Sequence, residues 1–245
     1  MDAASTLDVP VLPAPELKPD PVPSPGPVPG MFDLILRGET RLHRLMRDEA
    51  GLPEVIQKLL ALSVLGLTIH GVVLGLAAGM FEPDTSLAWY QAGNPVVWMP
   101  LALIGAFLGA LCICLPSFYF YTQLSGLDAS FRVVTAQALR AQATMSVLLL
   151  GVLPFYAAWL LGTVVGVFDE PGTALFAGLC LPFGVGLWGI RAVYRGFCDL
   201  AEHLPITHKR RGNFLKRLVL CWGGVYSVVA PVALYRLGEA LGAYL

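Results

Sequence analysis

Residues 58–80 read KLLALSVLGLTIHGVVLGLAAGM, and after Lys58 they contain no Asp, Glu, Lys or Arg. About 20 apolar residues in a helix are enough to cross the roughly 30 Å hydrocarbon core of a bilayer. In that medium the backbone must satisfy its own hydrogen bonds, so a segment of this kind is helical. Four more segments of the same character follow, at approximately 97–121, 144–168, 172–195 and 214–236, and their central portions carry no charge. The reading is an all-α, polytopic integral membrane bundle of five transmembrane helices, occupying residues 51–245.

Composition agrees with this reading. The 245 residues are 56% hydrophobic and 13% charged, against about 25% charged in soluble domains, and the mean hydropathy is +0.68. No apolar run precedes Val55 and the first basic residue is Lys18. No cleavable secretory signal is therefore read, and targeting is expected from the first span. The five cysteines (Cys112, Cys114, Cys180, Cys198, Cys221) lie in or beside apolar runs without a CxxC pair. They read as small hydrophobes at helix interfaces.

The connecting segments set the orientation, because Lys and Arg are retained on the cytoplasmic side. With the amino terminus inside, that side receives fifteen of the sixteen basic residues, and only Arg236 falls outside. The carboxyl terminus is then outside. Glu82 and Asp84 follow the first span and Asp169 and Glu170 the third, whereas Lys209, Arg210, Arg211, Lys216 and Arg217 follow the fourth. Trp89, Tyr90 and Trp98 are expected to form an outer aromatic belt, and Phe118, Tyr119, Phe120 and Tyr121 an inner one.

Two regions precede the spans. In residues 1–30, nine of the nineteen prolines occur, and every second residue from Pro19 to Pro29 is proline. Proline fixes φ and removes the amide donor, so this tail is expected to be an extended or disordered cytoplasmic segment. Its Pro10-Val11-Leu12-Pro13 also suits an aromatic groove on an unidentified protein partner. Residues 31–50 place Ile35, Leu42, Leu45 and Met46 near helical spacing, with Arg37, Arg41, Arg44 and Arg47 on the other side. That pattern predicts an amphipathic helix, either lying at the membrane interface or packed on the protein. Pro53 and Glu54 then suit the first turn of the next helix. A second amphipathic cytoplasmic helix is expected at 128–142, between the second and third spans, with Ser125 and Asp128 as cap-type residues.

Between apolar helices in lipid, association relies on close packing of small residues. The candidate packing positions are Gly71, Gly75 and Gly79 in the first span, Gly105 and Gly109 in the second, and Gly162 and Gly166 in the third. Gly178, Gly184, Gly186 and Gly189 lie in the fourth span, and Gly223 and Gly224 in the fifth. Packing within one chain is expected, with homo-oligomerisation through an outward glycine face as the alternative. Pro116, Pro154, Pro182 and Pro231 fall inside spans and are expected to kink them.

Little in the sequence points to catalysis. Gly184-Val185-Gly186-Leu187-Trp188-Gly189 matches GxGxxG, but it lies inside an apolar helix and not between a strand and a helix. His70 stands alone in the first span, and is expected to hydrogen-bond to a neighbouring helix near Ser63, Thr68 or a freed carbonyl. No other ionisable residue is read at mid-depth in a span, which argues against a proton-coupled transporter. The expectation is no catalytic or metal residues, no cofactor and no nucleic-acid partner. The basic residues Arg37, Arg41, Arg44, Arg47, Lys209, Arg210, Arg211, Lys216 and Arg217 are candidates for an anionic leaflet or a protein partner.

Five spans, a proline-rich tail, an amphipathic entry helix and a short outer carboxyl terminus together resemble the Yip1 family. The most similar stretch is Gly126-Leu127-Asp128-Ala129-Ser130-Phe131-Arg132, a polar helix after it, and Leu153-Pro154-Phe155 in the third span. The similarity is to bacterial members, covers roughly residues 31–236, and is mostly one of architecture. The tyrosine- and proline-bearing signature of eukaryotic members is not matched before the first span, so no small-GTPase partner is implied. The resemblance implies a non-enzymatic protein of the bacterial inner membrane that scaffolds or organises membrane or partner proteins. The alternative is the membrane subunit of a transporter or permease complex, with 128–142 coupling it to a separate ATPase.

Overall fold

The computed structural model describes residues 30–37, 42, 45, 46, 50–81, 93–124, 129–168, 170–202 and 210–244. Six helices account for most of them: α1 (Met31–Arg37), α2 (Leu52–Met80), α3 (Pro95–Leu124), α4 (Phe131–Val164), α5 (Pro171–Glu202) and α6 (Arg210–Tyr244). No strand occurs among the described residues. Helices α2 to α6 are each long and apolar enough to cross a membrane. At about 1.5 Å per residue they run roughly 43–52 Å, so each extends past a hydrocarbon core of about 30 Å.

Around the bundle the order is α3–α2–α4–α5–α6, with α6 closing back on α3. The outward faces remain apolar: Ile113 is 70% exposed and Phe155 77%, with Leu65, Phe176 and Val228 also exposed. A soluble monomer rarely shows so much contiguous apolar surface, and lipid accounts for it directly. The interior divides into two clusters. One lies toward Leu52, Leu124 and Phe131 and includes Leu59, Phe118, Val134, Phe197 and Trp222. The other lies toward Met80, Pro95 and Val164 and includes Leu74, Trp98, Phe107, Tyr156 and Leu179.

Local chemistry sets the helix ends. Pro53 lies in the first turn of α2 and Glu54 follows it, where a missing N–H and a negative charge both suit the helix start. Ser130 caps α4, its hydroxyl accepting from Val133 N at 3.4 Å; Ser125 and Asp128 lie outside the described residues. At the other end of α4, Gly166 has φ +80. Its N–H donates to Thr163 O at 3.1 Å and Val167 N–H donates to Gly162 O at 2.8 Å. These paired bonds form a Schellman cap, and its left-handed residue is best supplied by glycine. The third span therefore stops at Val164, short of residue 168, and Gly166 ends the helix instead of packing one.

The largest departure from the sequence reading is in α4. Residues 131–143 are not a separate helix at the interface; they run without a break into the third span. Val134, Ala136, Gln137, Ala138, Leu139, Arg140, Ala141, Gln142 and Ala143 are all buried there. Among the polar residues there, Gln137, Arg140 and Gln142 are covered by neighbouring helices, whereas Arg132 stays exposed. The aromatic belts are also partly core: Trp98 and Phe118 are buried, whereas Phe120 and Tyr121 are exposed. Trp89 and Tyr90 lie outside the described residues. Near α1, Leu34, Leu42 and Met46 are buried on the bundle, while Leu36 and Leu45 stay exposed. Residues 1–29 and Arg41, Arg44, Arg47 and Lys209 lie outside the described residues.

Candidate functional site

Where apolar helices pack in lipid, a buried polar side chain is held by the partner it finds on another helix. The first half of α4 concentrates such groups, with Gln137, Arg140, Gln142 and Ser146 all buried. Small residues on the flanking helices let α4 sit deep enough for these groups to reach. A Cβ on Gly66 of α2 would lie 2.6 Å from Ser146 Cβ, and one on Gly189 of α5 would lie 2.7 Å from Ala141 O. A Cβ on Gly196 would collide with the Gln137 amide. Gly178, Gly189 and Gly196 are eleven and seven residues apart. That is close to three and two whole turns, so the three share one face of α5.

Four polar links tie the five long helices together. Ser146 Oγ donates to Ser63 O at 3.1 Å, joining α4 to α2. Gln142 Nε2 donates to the Tyr226 hydroxyl, and that hydroxyl donates onward to Phe107 O at 3.0 Å, joining α4, α6 and α3. A phenol has one hydrogen and spare lone pairs, so it serves both bonds at once. Tyr156 OH donates to Ala174 O at 3.0 Å, joining α4 to α5. His70 lies 2.9 Å through Nε2 from Gly178 O, joining α2 to α5.

The His70 contact has a specific cause. In a regular helix Gly178 O would accept from residue 182, but that residue is Pro182, which has no N–H. The freed carbonyl is the group His70 reaches. The acceptor requires the proton on Nε2 when the ring is neutral, and Nδ1 then has no partner among the described residues. The Tyr156 ring lies 5.9 Å away, and a Cβ on Gly178 would strike its hydroxyl. No group of three His, Cys, Asp or Glu side chains able to hold a metal converges among the described residues.

Arg140 changes the inventory of charge. The sequence reading set it in a cytoplasmic connection, yet it lies within α4 at 3% exposure, so His70 is not the sole ionisable group inside the bundle. Beside this region an aromatic column runs through α5, α3 and α6. Phe197 meets Phe118 edge-on at 5.2 Å, Phe118 stacks on Trp222 at 4.6 Å, and Trp222 stacks on Tyr226 at 5.6 Å.

The candidate packing glycines divide into several groups. A Cβ on Gly71 would lie 2.5 Å from Pro100 Cα, and one on Gly75 would lie 2.7 Å from Val96 Cα. These two glycines therefore face the start of α3. Gly105 faces Leu237 at 3.0 Å and Gly162 faces the Phe168 ring at 2.7 Å. Gly79, Gly109 and Gly166 have nothing within 4 Å among the described residues, so no described helix lies against them. Among the candidate basic residues, Arg217 is exposed on a groove of about 330 Å³ between α3 and α6, beside Ser117, Tyr121 and Cys221. Arg37 ends α1, and Arg210, Arg211 and Lys216 lie in the first two turns of α6, but their side chains lie outside the described residues.

Sequence reasoning missed Gly66, Gly196, Gln137, Gln142, Ser146, Tyr156 and Tyr226. The three-turn and two-turn spacing of the α5 glycines was the available signal for part of this set. No family model, no curated protein and no solved structure matches the chain.

Proposed function

We propose that this chain is a non-catalytic membrane scaffold, with its amino terminus in the cytoplasm, that organises the bilayer or partner proteins. The observation supporting this most is the set of cross-helix links: Ser146–Ser63, Gln142–Tyr226–Phe107, Tyr156–Ala174 and His70–Gly178. Together they join all five long helices. A carrier that alternates access must slide or rock helices past one another, and each such movement would break buried polar bonds. A bundle fixed in this way suits a platform. The resemblance to the Yip1 family points in the same direction, as does the basic end, whose Lys and Arg residues suit an anionic leaflet.

The competing reading, a permease subunit coupled through 128–142, is less favoured because residues 136–143 are buried inside the bundle. Purification of the full chain in mild detergent, followed by mass spectrometry, separates the two. A scaffold is expected to bring down membrane partners without a stoichiometric ATPase. An ATPase recovered in stoichiometric amount would overturn the proposal.

A further inference from the structure

A groove of about 260 Å³ opens between α1, α4 and α5, on a different side of the bundle from Arg217. Arg191 and Arg195 line it from α5, one turn apart and both exposed, and Thr144 adds a hydroxyl from α4. Its floor and walls are apolar: Leu36 of α1, Val147 and Leu148 of α4, and Trp188 of α5, which is 59% exposed. We infer that this groove holds one anionic phospholipid, with the phosphate on Arg191 and Arg195 and an acyl chain along Val147, Leu148 and Trp188.

Depth and charge both favour that occupant. Arg191 lies twenty residues after Pro171, the first residue of α5, which is about 30 Å of helix rise and therefore one hydrocarbon thickness. If α5 enters the membrane at its first turn, Arg191 emerges at the opposite headgroup layer, with Arg195 about 6 Å further out. Trp188, almost one turn below Arg191, then sits at the depth where amphipathic rings collect. Guanidinium groups bind phosphate oxygens through paired N–H donors, and arginine stems lie readily along apolar surface. Helix α1 lines the groove through Ile35 and Leu36, so lipid and α1 share the same side of the bundle. The inference rests on the membrane-spanning architecture and not on the scaffold reading.

The test is native mass spectrometry of the full-length protein released from bilayers of equal phosphatidylglycerol and phosphatidylcholine. The readout is the ratio of the two lipids retained. Each basic residue near an anionic headgroup is worth roughly five-fold, so Arg191 alone predicts a preference of about five-fold and the pair up to about twenty-five-fold. Arg191→Gln with Arg195→Gln should bring the ratio close to one, and Arg191→Lys with Arg195→Lys should retain most of it. Arg217→Gln, on the other groove, should leave the ratio unchanged. Equal retention by the wild type would overturn the inference, as would a preference that survives the double Gln substitution or vanishes with Arg217→Gln. A lipid-free dimer, with a second copy seated on this face, would also overturn it.

Discussion

Gly71 and Gly79 lie on one stripe of α2, eight residues apart, yet their surroundings differ sharply. A Cβ at Gly71 would sit 2.5 Å from Pro100 Cα and 2.8 Å from Pro100 N, whereas a Cβ at Gly79 would meet nothing within 4 Å among the described residues. Carbon atoms pack comfortably at about 3.5–4.0 Å, so Gly71→Ala requires α2 and α3 to separate by about 1 Å. The obstacle is backbone, and rotamer changes cannot relieve it. Overpacking of this kind costs about 1–3 kcal/mol. Both substitutions gain about 1 kcal/mol of helix propensity, and that gain cancels when the two are compared. Gly71→Ala should therefore be about 1–3 kcal/mol less stable than Gly79→Ala. Thermal unfolding in mild detergent would show this as a Tm gap of roughly 2–12 °C, on the scale of about 2–4 °C per kcal/mol for a chain of this size. Equal melting temperatures for the two variants would refute the close approach of α2 to Pro100.

Two further predictions concern the polar links. Tyr226→Phe should destabilise by about 1–3 kcal/mol, because it leaves the buried Gln142 Nε2 without its acceptor, and Gln142→Leu by only about 0.5–1.5 kcal/mol, because the Tyr226 hydroxyl keeps its bond to Phe107 O. The double variant should lose less than the sum, and additive losses in a double-mutant cycle would show that the two side chains do not interact. Replacing His70 with Leu should lower stability by about 1–3 kcal/mol by leaving the Gly178 carbonyl without a donor. Adding Pro182→Ala restores a backbone donor to that carbonyl and should recover part of the loss; no recovery in the melting temperature would remove Pro182 from the account.

The five long helices were legible because charge-free runs of that length have few other solutions. The reading of 131–143 failed for a physical reason. Gln137, Arg140 and Gln142 look like a solvated face when only periodicity is considered, but bundle helices can cover polar groups that find partners across the interface. Sequence spacing does not say which residues lie opposite, so Tyr226 and the Phe107 carbonyl were invisible as partners. The xxx-spaced glycines had the same limitation. Gly71 and Gly79 are equivalent in pattern, and only the start of α3 makes them different. Gly162 and Gly166 share the spacing of a packing motif, yet φ +80 at Gly166 belongs to a helix cap. The expectation of a freed carbonyl near His70 was sound in kind; its identity needed the fold to bring Gly178 alongside α2.

The membrane-spanning architecture is the central claim, and reporter fusions along the full chain test it most directly. Fusions after Glu82 and after Glu170 should report the outside, and a fusion after Lys209 should report the cytoplasm. These positions follow α2, precede α5 and precede α6, so the pattern requires α5 to cross and an even number of crossings, supplied here by α3 and α4, between the first two fusions. A cytoplasmic signal from the Glu170 fusion would contradict the five-span account.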